Sequence, residues 1–238
     1  MSQITTETVT IAAKDGSGDF SAYLSKPESG NGPAIVVIQE IFGVNAGLRT
    51  MCDRWAAAGY VAICPDLFWR QEPGVDLTDQ TEEEWQKAFA LYNGFDVDKG
   101  IEDIAATIDF IRGHGRSTGK VGAVGYCLGG LLAYLTATRT DADANVSYYG
   151  VGIQDKLDEA AKITRPLMLH IAGKDEFVDA AAQAAIHDGL DGHAQSTLYD
   201  YPEADHAFSR INGQHYREDD ATRANERTAA FFADHLKG

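Results

Sequence analysis

The segment Gly125-Tyr126-Cys127-Leu128-Gly129-Gly130 is where the chain first shows residues arranged for chemistry. It has the G-x-S-x-G spacing of a nucleophile elbow, with a thiol in place of the hydroxyl. In so tight a strand-to-helix turn, side chains two positions either side of the nucleophile would collide, which is why glycine flanks it. The turn would thrust the sulfur out at the carboxyl end of a strand and at a helix N-terminus, whose partial positive charge favours thiolate. A buried structural cysteine beside a glycine-rich turn has the same letters, so its partners must decide.

Elbow enzymes present nucleophile, acid and histidine in that chain order, each from a loop after a strand. Asp175 follows an apolar run through Ala172-Gly173-Lys174, and His206 follows another through Pro202-Glu203-Ala204-Asp205. In that reading Cys127 attacks, His206 shuttles the proton, and Asp175 fixes the imidazole tautomer and supports its charged form. Taken singly, Asp175 is also a turn residue in Gly-Lys-Asp, and His206 a loop histidine of no special role, as most of the other six histidines are expected to have none. All three would have to be idle together for the site to be absent. A dinucleotide site is the rival for a glycine-rich turn. Here Gly122, Gly125, Gly129 and Gly130 do not spell G-x-G-x-x-G, and the turn is not in the first strand–helix unit.

The elements that must position these residues follow from periodicity. Glu7–Ala13 and Phe20–Lys26 alternate around Lys14–Gly18 and predict a hairpin. Ala34–Ile38 and Tyr60–Cys64 predict buried strands, with a helix over Ala46–Ala58 between them, capped by Asn45 and stopped by Gly59. Thr78–Tyr92 and Val97–Arg112 predict helices, the second with Ile101, Ile104, Ala105, Ile108 and Ile111 at helical spacing. Val121–Gly125 predicts a strand and Leu128–Thr138 a helix. Val146–Tyr149, Pro166–Ile171 and Ser196–Tyr201 predict further strands. Asp179–Leu190 and Asp219–Leu236 predict the last two helices. Strands alternating with helices mean a mostly parallel sheet covered on both faces, and without a repeat or long linker residues 1–238 are expected to form one α/β domain.

Composition narrows the function classes. The chain has 238 residues, with 20 Lys and Arg against 36 Asp and Glu, a formal charge of −16. That balance argues against nucleic acid, whose phosphates need clustered cations, and against an anionic membrane surface. The start, Met1-Ser2-Gln3-Ile4-Thr5-Thr6-Glu7, has neither the basic end nor the apolar core of a signal peptide. Cys52, Cys64 and Cys127 form no CxxC pair, which fits a reducing compartment. A cytoplasmic protein, monomeric or a small homo-oligomer, is expected. No metal or cofactor is expected, since the histidines lack zinc-ligand spacing and a thiol triad needs no ion.

Several segments resemble the dienelactone hydrolase (carboxymethylenebutenolidase) family. They are Gln39-Glu40-Ile41-Phe42-Gly43-Val44-Asn45, Cys64-Pro65-Asp66-Leu67, the Gly125–Gly130 elbow, Tyr148-Tyr149-Gly150-Val151-Gly152, His206 with Phe208 and Arg210, and Ala224-Asn225-Glu226-Arg227-Thr228. The resemblance implies an α/β-hydrolase fold and hydrolysis of a lactone or ester through a cysteine acyl-enzyme. It implies Cys127 as nucleophile, Asp175 as acid and His206 as base, and Glu40 as a carboxylate that pairs with the resting thiol. It also implies an oxyanion hole from the backbone N–H groups of Leu128 and Ile41; the elbow reading predicts Leu128 independently. From the residues alone, Glu40 at the end of an apolar strand is either a surface acid or a buried, perturbed one.

The sequence departs from the family where a substrate carboxylate is held, a pocket that the resemblance would line with two arginines and a tyrosine. Trp85 falls on the first arginine position, Phe89 on the tyrosine, and Arg210 on the second arginine, with Ala207 replacing a serine. Arg70 and Lys87 are the cations that could take the missing place. The leading expectation is therefore a cysteine-dependent lactone or ester hydrolase acting on a small molecule. A broader carboxylesterase or thioesterase with the same triad, and a non-catalytic binding protein of the same fold, stand as alternatives. The intact set of three residues weighs against the last.

Overall fold

Polar and apolar residues alternate on both sides of the Lys14–Gly18 turn. In the computed structural model, which describes residues 3–238, the two runs are β1 (Ile4–Ala12) and β2 (Asp19–Pro27), paired antiparallel from Ile4↔Pro27 to Ala12↔Asp19. Met1 and Ser2, which begin the N-terminal segment read for targeting, lie outside the described residues. The continuous β-branched run becomes β3 (Gly32–Ile38), buried at every position as a strand covered on both faces must be. It pairs in parallel with β4 (Val61–Pro65), whose other edge takes β2 antiparallel.

With β5 (Ser117–Tyr126), β6 (Ala144–Tyr148), β7 (Leu167–Ala172) and β8 (Ser196–Tyr201), the sheet order is β1-β2-β4-β3-β5-β6-β7-β8. The helices are α1 (Ala46–Ala57), α2 (Glu82–Asn93), α3 (Val97–Arg112), α4 (Leu128–Arg139), α5 (Ala180–Leu190) and α6 (Glu218–Leu236). A 3₁₀ segment covers Ile153–Lys162. This is the expected α/β-hydrolase architecture. The chain falls into two compact units, one up to Ala123 and one from Val124 onward. Among the described residues, no helix is long and apolar enough to cross a membrane.

Local chemistry explains the boundaries. Asn45 caps α1 by accepting from the Leu48 N–H at 3.1 Å, and Gly59 beyond its end has φ +91. The helix expected over Thr78–Tyr92 starts only at Glu82. Thr81 caps it at the Glu84 N–H, and the Glu84 carboxylate takes the N–H and hydroxyl of Thr78 and the hydroxyl of Thr81. Those bonds hold residues 78–81 outside the helix. The strand expected over Val146–Tyr149 ends at Tyr148, because Tyr149 takes φ +39 and turns the chain.

In the first unit, the buried carboxylate of Asp103 on α3 accepts from Trp69 Nε1 at 2.8 Å, Arg70 Nε at 3.0 Å and Arg70 Nη2 at 2.7 Å. It anchors the segment that follows β4 onto α3. Removing it would leave a part-buried guanidinium and an indole N–H without that acceptor. Asp103→Ala should therefore cost about 3–5 kcal/mol. Urea unfolding checks this, and a loss under about 1 kcal/mol, the range of an exposed ion pair, would show the cluster to be no anchor.

Candidate active site

The second unit opens on the last residues of β5 and the turn that follows. Cys127 has φ 57 and ψ −116, a left-handed conformation that a non-glycine residue adopts only when its surroundings impose it. Two glycines leave the room. A Cβ on Gly125 would overlap the Gly129 carbonyl oxygen, and one on Gly130 would sit 2.5 Å from the Tyr148 carbonyl oxygen and 2.6 Å from Gly150 Cα. Backbone hydrogen bonds then fix the turn. Cys127 N–H donates to the Tyr148 carbonyl at 3.1 Å, and the Cys127 carbonyl accepts from Gly130 at 2.9 Å and Leu131 at 3.3 Å. Cys127 is the N-cap of α4 and its side chain makes no capping bond, so the thiol stands at the positive end of a helix dipole. Leu128 is the first residue of α4, where backbone N–H groups have no intrahelical acceptor.

Asp175 and His206 meet in the same unit. The loops after β7 and β8 are joined by Gly173 N–H to the Tyr201 carbonyl and Lys174 N–H to the Ala204 carbonyl, both at 2.9 Å. His206 Nδ1 then lies 2.8 Å from Asp175 Oδ2, while Asp175 Oδ1 accepts from the Phe177 N–H at 2.9 Å and the Val178 N–H at 3.3 Å. Both residues are 5% exposed. The carboxylate is thus oriented by its own turn and holds the imidazole with Nε2 directed away.

Burial opposes charge on His206, but the negative charge of Cys127 and the Asp175 carboxylate outweigh it and raise the imidazole to about 10. Nε2 makes no hydrogen bond among the described residues. Cys127 nevertheless leads the influences that raise the His206 imidazole. Such an arrangement sets the Cys127 sulfur beside an imidazolium, a group that can deliver a proton to a leaving oxygen.

Sequence reasoning passed over the aromatic surround. Phe177 packs edge-on against the His206 ring at 4.8 Å and is 40% exposed, and Tyr149 packs on the same ring at 5.1 Å. The Tyr149 hydroxyl lies 2.9 Å from Ser209 Oγ. The only signal was proximity in sequence to Asp175 and to the elbow-facing strand end. Arg210, half-buried, follows on the His206 loop, its N–H donating to the Ala207 carbonyl at 2.9 Å.

The first unit carries the remaining expected residues. Glu40 is 2% exposed, two positions past the end of β3, so the buried alternative holds, and Ile41 beside it is buried. Trp85 and Phe89 lie one turn apart on α2 with rings stacked at 5.5 Å, and Trp85 meets Phe42 edge-on at 5.0 Å. Arg70 is committed elsewhere. Beyond Asp103, its Nη1 donates to Ser17 Oγ at 2.6 Å and Asp15 Oδ2 at 3.1 Å. Lys87 pairs with Glu72 at 2.6 Å. Each of the two cations thus has an anionic partner, Lys87 in a largely exposed pair.

Residues 20–236 match the model of the dienelactone hydrolase family. A protein of Azospirillum brasilense is 50% identical over 233 residues, which cover 96% of this chain and 98% of its own. A carboxymethylenebutenolidase of Pseudomonas putida is 40% identical over 228 residues, 96% of each chain. Among solved structures, one from Klebsiella pneumoniae subsp. pneumoniae superposes with a TM-score of 0.85 at 26% identity, covering 97% of this chain and 99% of that one. The dienelactone hydrolase from Anabaena variabilis superposes at 0.72 with 19% identity over 98% of this chain and 99% of its own, a likeness of fold.

The charge of Cys127 leads the influences that keep His206 protonated, so removing the sulfur should release the proton. In nitrogen-resolved NMR titrations, the His206 imidazolium should persist through neutral pH in the wild type and deprotonate at distinctly lower pH in Cys127→Ala, where burial meets less opposition. Identical titrations would mean that Cys127 exerts no charge on His206.

Proposed function

The chain belongs to the dienelactone hydrolase family and is a hydrolase of ester or lactone bonds; from that premise we propose that its nucleophile is Cys127, working with His206 and Asp175. The observation that carries this reading is the strained elbow cysteine in the same unit as an Asp175-held imidazole whose proton it stabilises.

The thiolate attacks the acyl carbon, and the carbonyl π electrons move onto oxygen. The N–H of Leu128 receives that oxyanion, joined by the N–H of Ile41, a role that rests on the family resemblance. As the tetrahedral intermediate collapses, the C–O bond breaks and His206 Nε2 gives its proton to the leaving oxygen. A lactone opens, and an ester releases its alcohol. Neutral His206 then takes a proton from water, hydroxide attacks the thioester, and collapse returns thiolate, imidazolium and the free acid. Asp175 keeps Nδ1 protonated throughout, so that Nε2 is the working nitrogen. By the same resemblance, the resting sulfur is a thiol whose proton passes to Glu40 when substrate enters, before the attack, and returns from Glu40 to sulfur when product leaves.

Cys127→Ala should lower kcat for p-nitrophenyl acetate by at least about 10³ without unfolding the protein, and Cys127→Ser should be severely impaired, the site being arranged for a more acidic group. Mass spectrometry of the quenched wild-type reaction should find the acyl group on Cys127 alone. Equal rates for wild type and Cys127→Ala would overturn the reading.

By the family resemblance, Trp85 and Phe89 stand at two of the three positions that would hold a substrate carboxylate, and Arg210 at the third. An arginine–carboxylate pair in a desolvated site is worth about 2–5 kcal/mol when one partner is removed. Neutral aryl esters and lactones should therefore be hydrolysed at least as well as dienelactone. Arg210→Ala should lower kcat/KM for carboxylated substrates selectively. Dienelactone turnover far above every neutral ester would show that another cation completes the clamp.

A further inference from the structure

Two segments noted in the sequence, Tyr148-Tyr149 and Asn225–Thr228, have no part in the reaction above, yet they are joined by buried polar groups. Arg227 Nη1 donates to Tyr201 Oη at 3.2 Å. Tyr201 Oη lies 2.9 Å from His170 Nδ1, and His170 Nε2 lies 2.9 Å from Thr228 Oγ1. Thr228 Oγ1 is 2.7 Å from Tyr148 Oη, which donates to Asn225 Oδ1 at 3.1 Å. His170, Thr228, Tyr148 and Tyr201 are all at most 1% exposed, so the bonds among these four are shielded from water.

The chemistry of the ends fixes the direction of every bond between them. A guanidinium only donates, and an amide oxygen only accepts. Burial, with the Arg227 charge adding to it, lowers the His170 imidazole to about 3, so His170 carries one ring proton at neutral pH. Tyr201, His170, Thr228 and Tyr148 thus have one proton each to give. Tyr148 gives its own to Asn225 and must accept from Thr228. Thr228 then accepts from His170 Nε2–H, which leaves Nδ1 bare to accept from Tyr201, whose oxygen accepts from Arg227. Every proton is used and every bond runs the same way.

This chain crosses β6, β7, β8 and α6, and two of its inner links, Tyr148 and His170, hold the site through their backbone carbonyls. Tyr148 supplies the carbonyl that binds the Cys127 N–H at 3.1 Å. His170 supplies the carbonyl that binds the Tyr149 N–H at 2.8 Å, and the Tyr149 ring packs on His206. We propose that this one-way hydrogen-bond chain sets the position of the Cys127 elbow, and that Thr228, which links Tyr148 to His170, is its positioning residue. The proposal rests on Cys127 being the nucleophile, but the direction of the chain does not.

The experiment compares Thr228→Val, which keeps the shape and removes the hydroxyl, with Thr228→Ser, which keeps the hydroxyl. Thr228→Val should lower kcat for p-nitrophenyl acetate by about ten- to a hundredfold, the scale of a small misplacement of reacting groups, with KM nearly unchanged. Thr228→Ser should restore most of the rate. Should Thr228→Val fail to fold, Tyr148→Phe breaks the same link while keeping the ring, and the same loss in kcat is expected. Nitrogen NMR of the wild type should find His170 protonated at Nε2 and bare at Nδ1. A folded Thr228→Val or Tyr148→Phe with wild-type kcat, or a Thr228→Ser as poor as Thr228→Val, would overturn the positioning role. A proton on Nδ1 of His170 would overturn the chain itself. If Cys127→Ala kept full activity, the nucleophile assignment would fall and the positioning role with it, while the His170 tautomer would still report on the chain.

Discussion

The backbone of Cys127 is the constraint on which the second unit is built. A left-handed φ at a residue with a side chain costs about 1–3 kcal/mol, and nothing local to cysteine favours it. The cost is met by packing that admits no other path. Gly125 and Gly130 let backbone approach where any Cβ would collide, and the Tyr148 carbonyl captures the Cys127 N–H. In return the turn delivers a thiol at the first turn of α4, a helix apolar around its circumference and buried from Leu128 to Thr138. A helix so enclosed cannot swing, and its N-terminus is a fixed electrostatic feature.

Two buried histidines in this unit show how partners, and not burial, decide charge. Both His170 and His206 are almost fully removed from water, which by itself disfavours the imidazolium in each. His170 faces two hydroxyls and lies under the influence of Arg227, so nothing compensates and it stays neutral. His206 faces the Asp175 carboxylate and the charge of Cys127, and the balance reverses. One becomes a directional link in a polar chain and the other a proton carrier. The difference lies in three side chains supplied by other segments, which is the pattern by which one fold separates structural from reactive ionisable groups.

What local sequence could reveal was whatever depends on neighbours in the chain. The glycine spacing around Cys127, the strand-then-loop approach to Asp175 and His206, and the alternation in β1 and β2 are of this kind, and the structure has them where the spacing puts them. The start of α2 was not legible, because Thr78 looks helical until the Glu84 carboxylate turns back to hold it. The fate of Arg70 was hidden for a stronger reason. Its partners Asp15, Ser17 and Asp103 come from segments on both sides of it, and no periodicity encodes that meeting. The same holds for His170, Thr228 and Tyr148, which stand on three separate elements. Each reads alone as an ordinary strand or helix residue, and only their convergence gives a proton order.

The disposition of positive charge bears on which acyl compounds the protein meets productively. With 20 basic residues against 36 acidic ones, the molecule surrounds itself with a negative potential that opposes the approach of anions. At physiological ionic strength this field is screened beyond about 8 Å, so it governs encounter and not the bound state. Binding of a carboxylate then depends on a cation within the pocket. Arg70 and Lys87 spend their charge on Asp103, Asp15 and Glu72, whereas neutral esters need no such partner and pay no electrostatic penalty on approach. On α2 the Trp85 and Phe89 rings stack, and a ring offers dispersion and a quadrupole where a guanidinium would offer charge. On the proposed reading of the site, long-range field and local contacts therefore act in the same direction, toward acyl groups that bring surface and little charge.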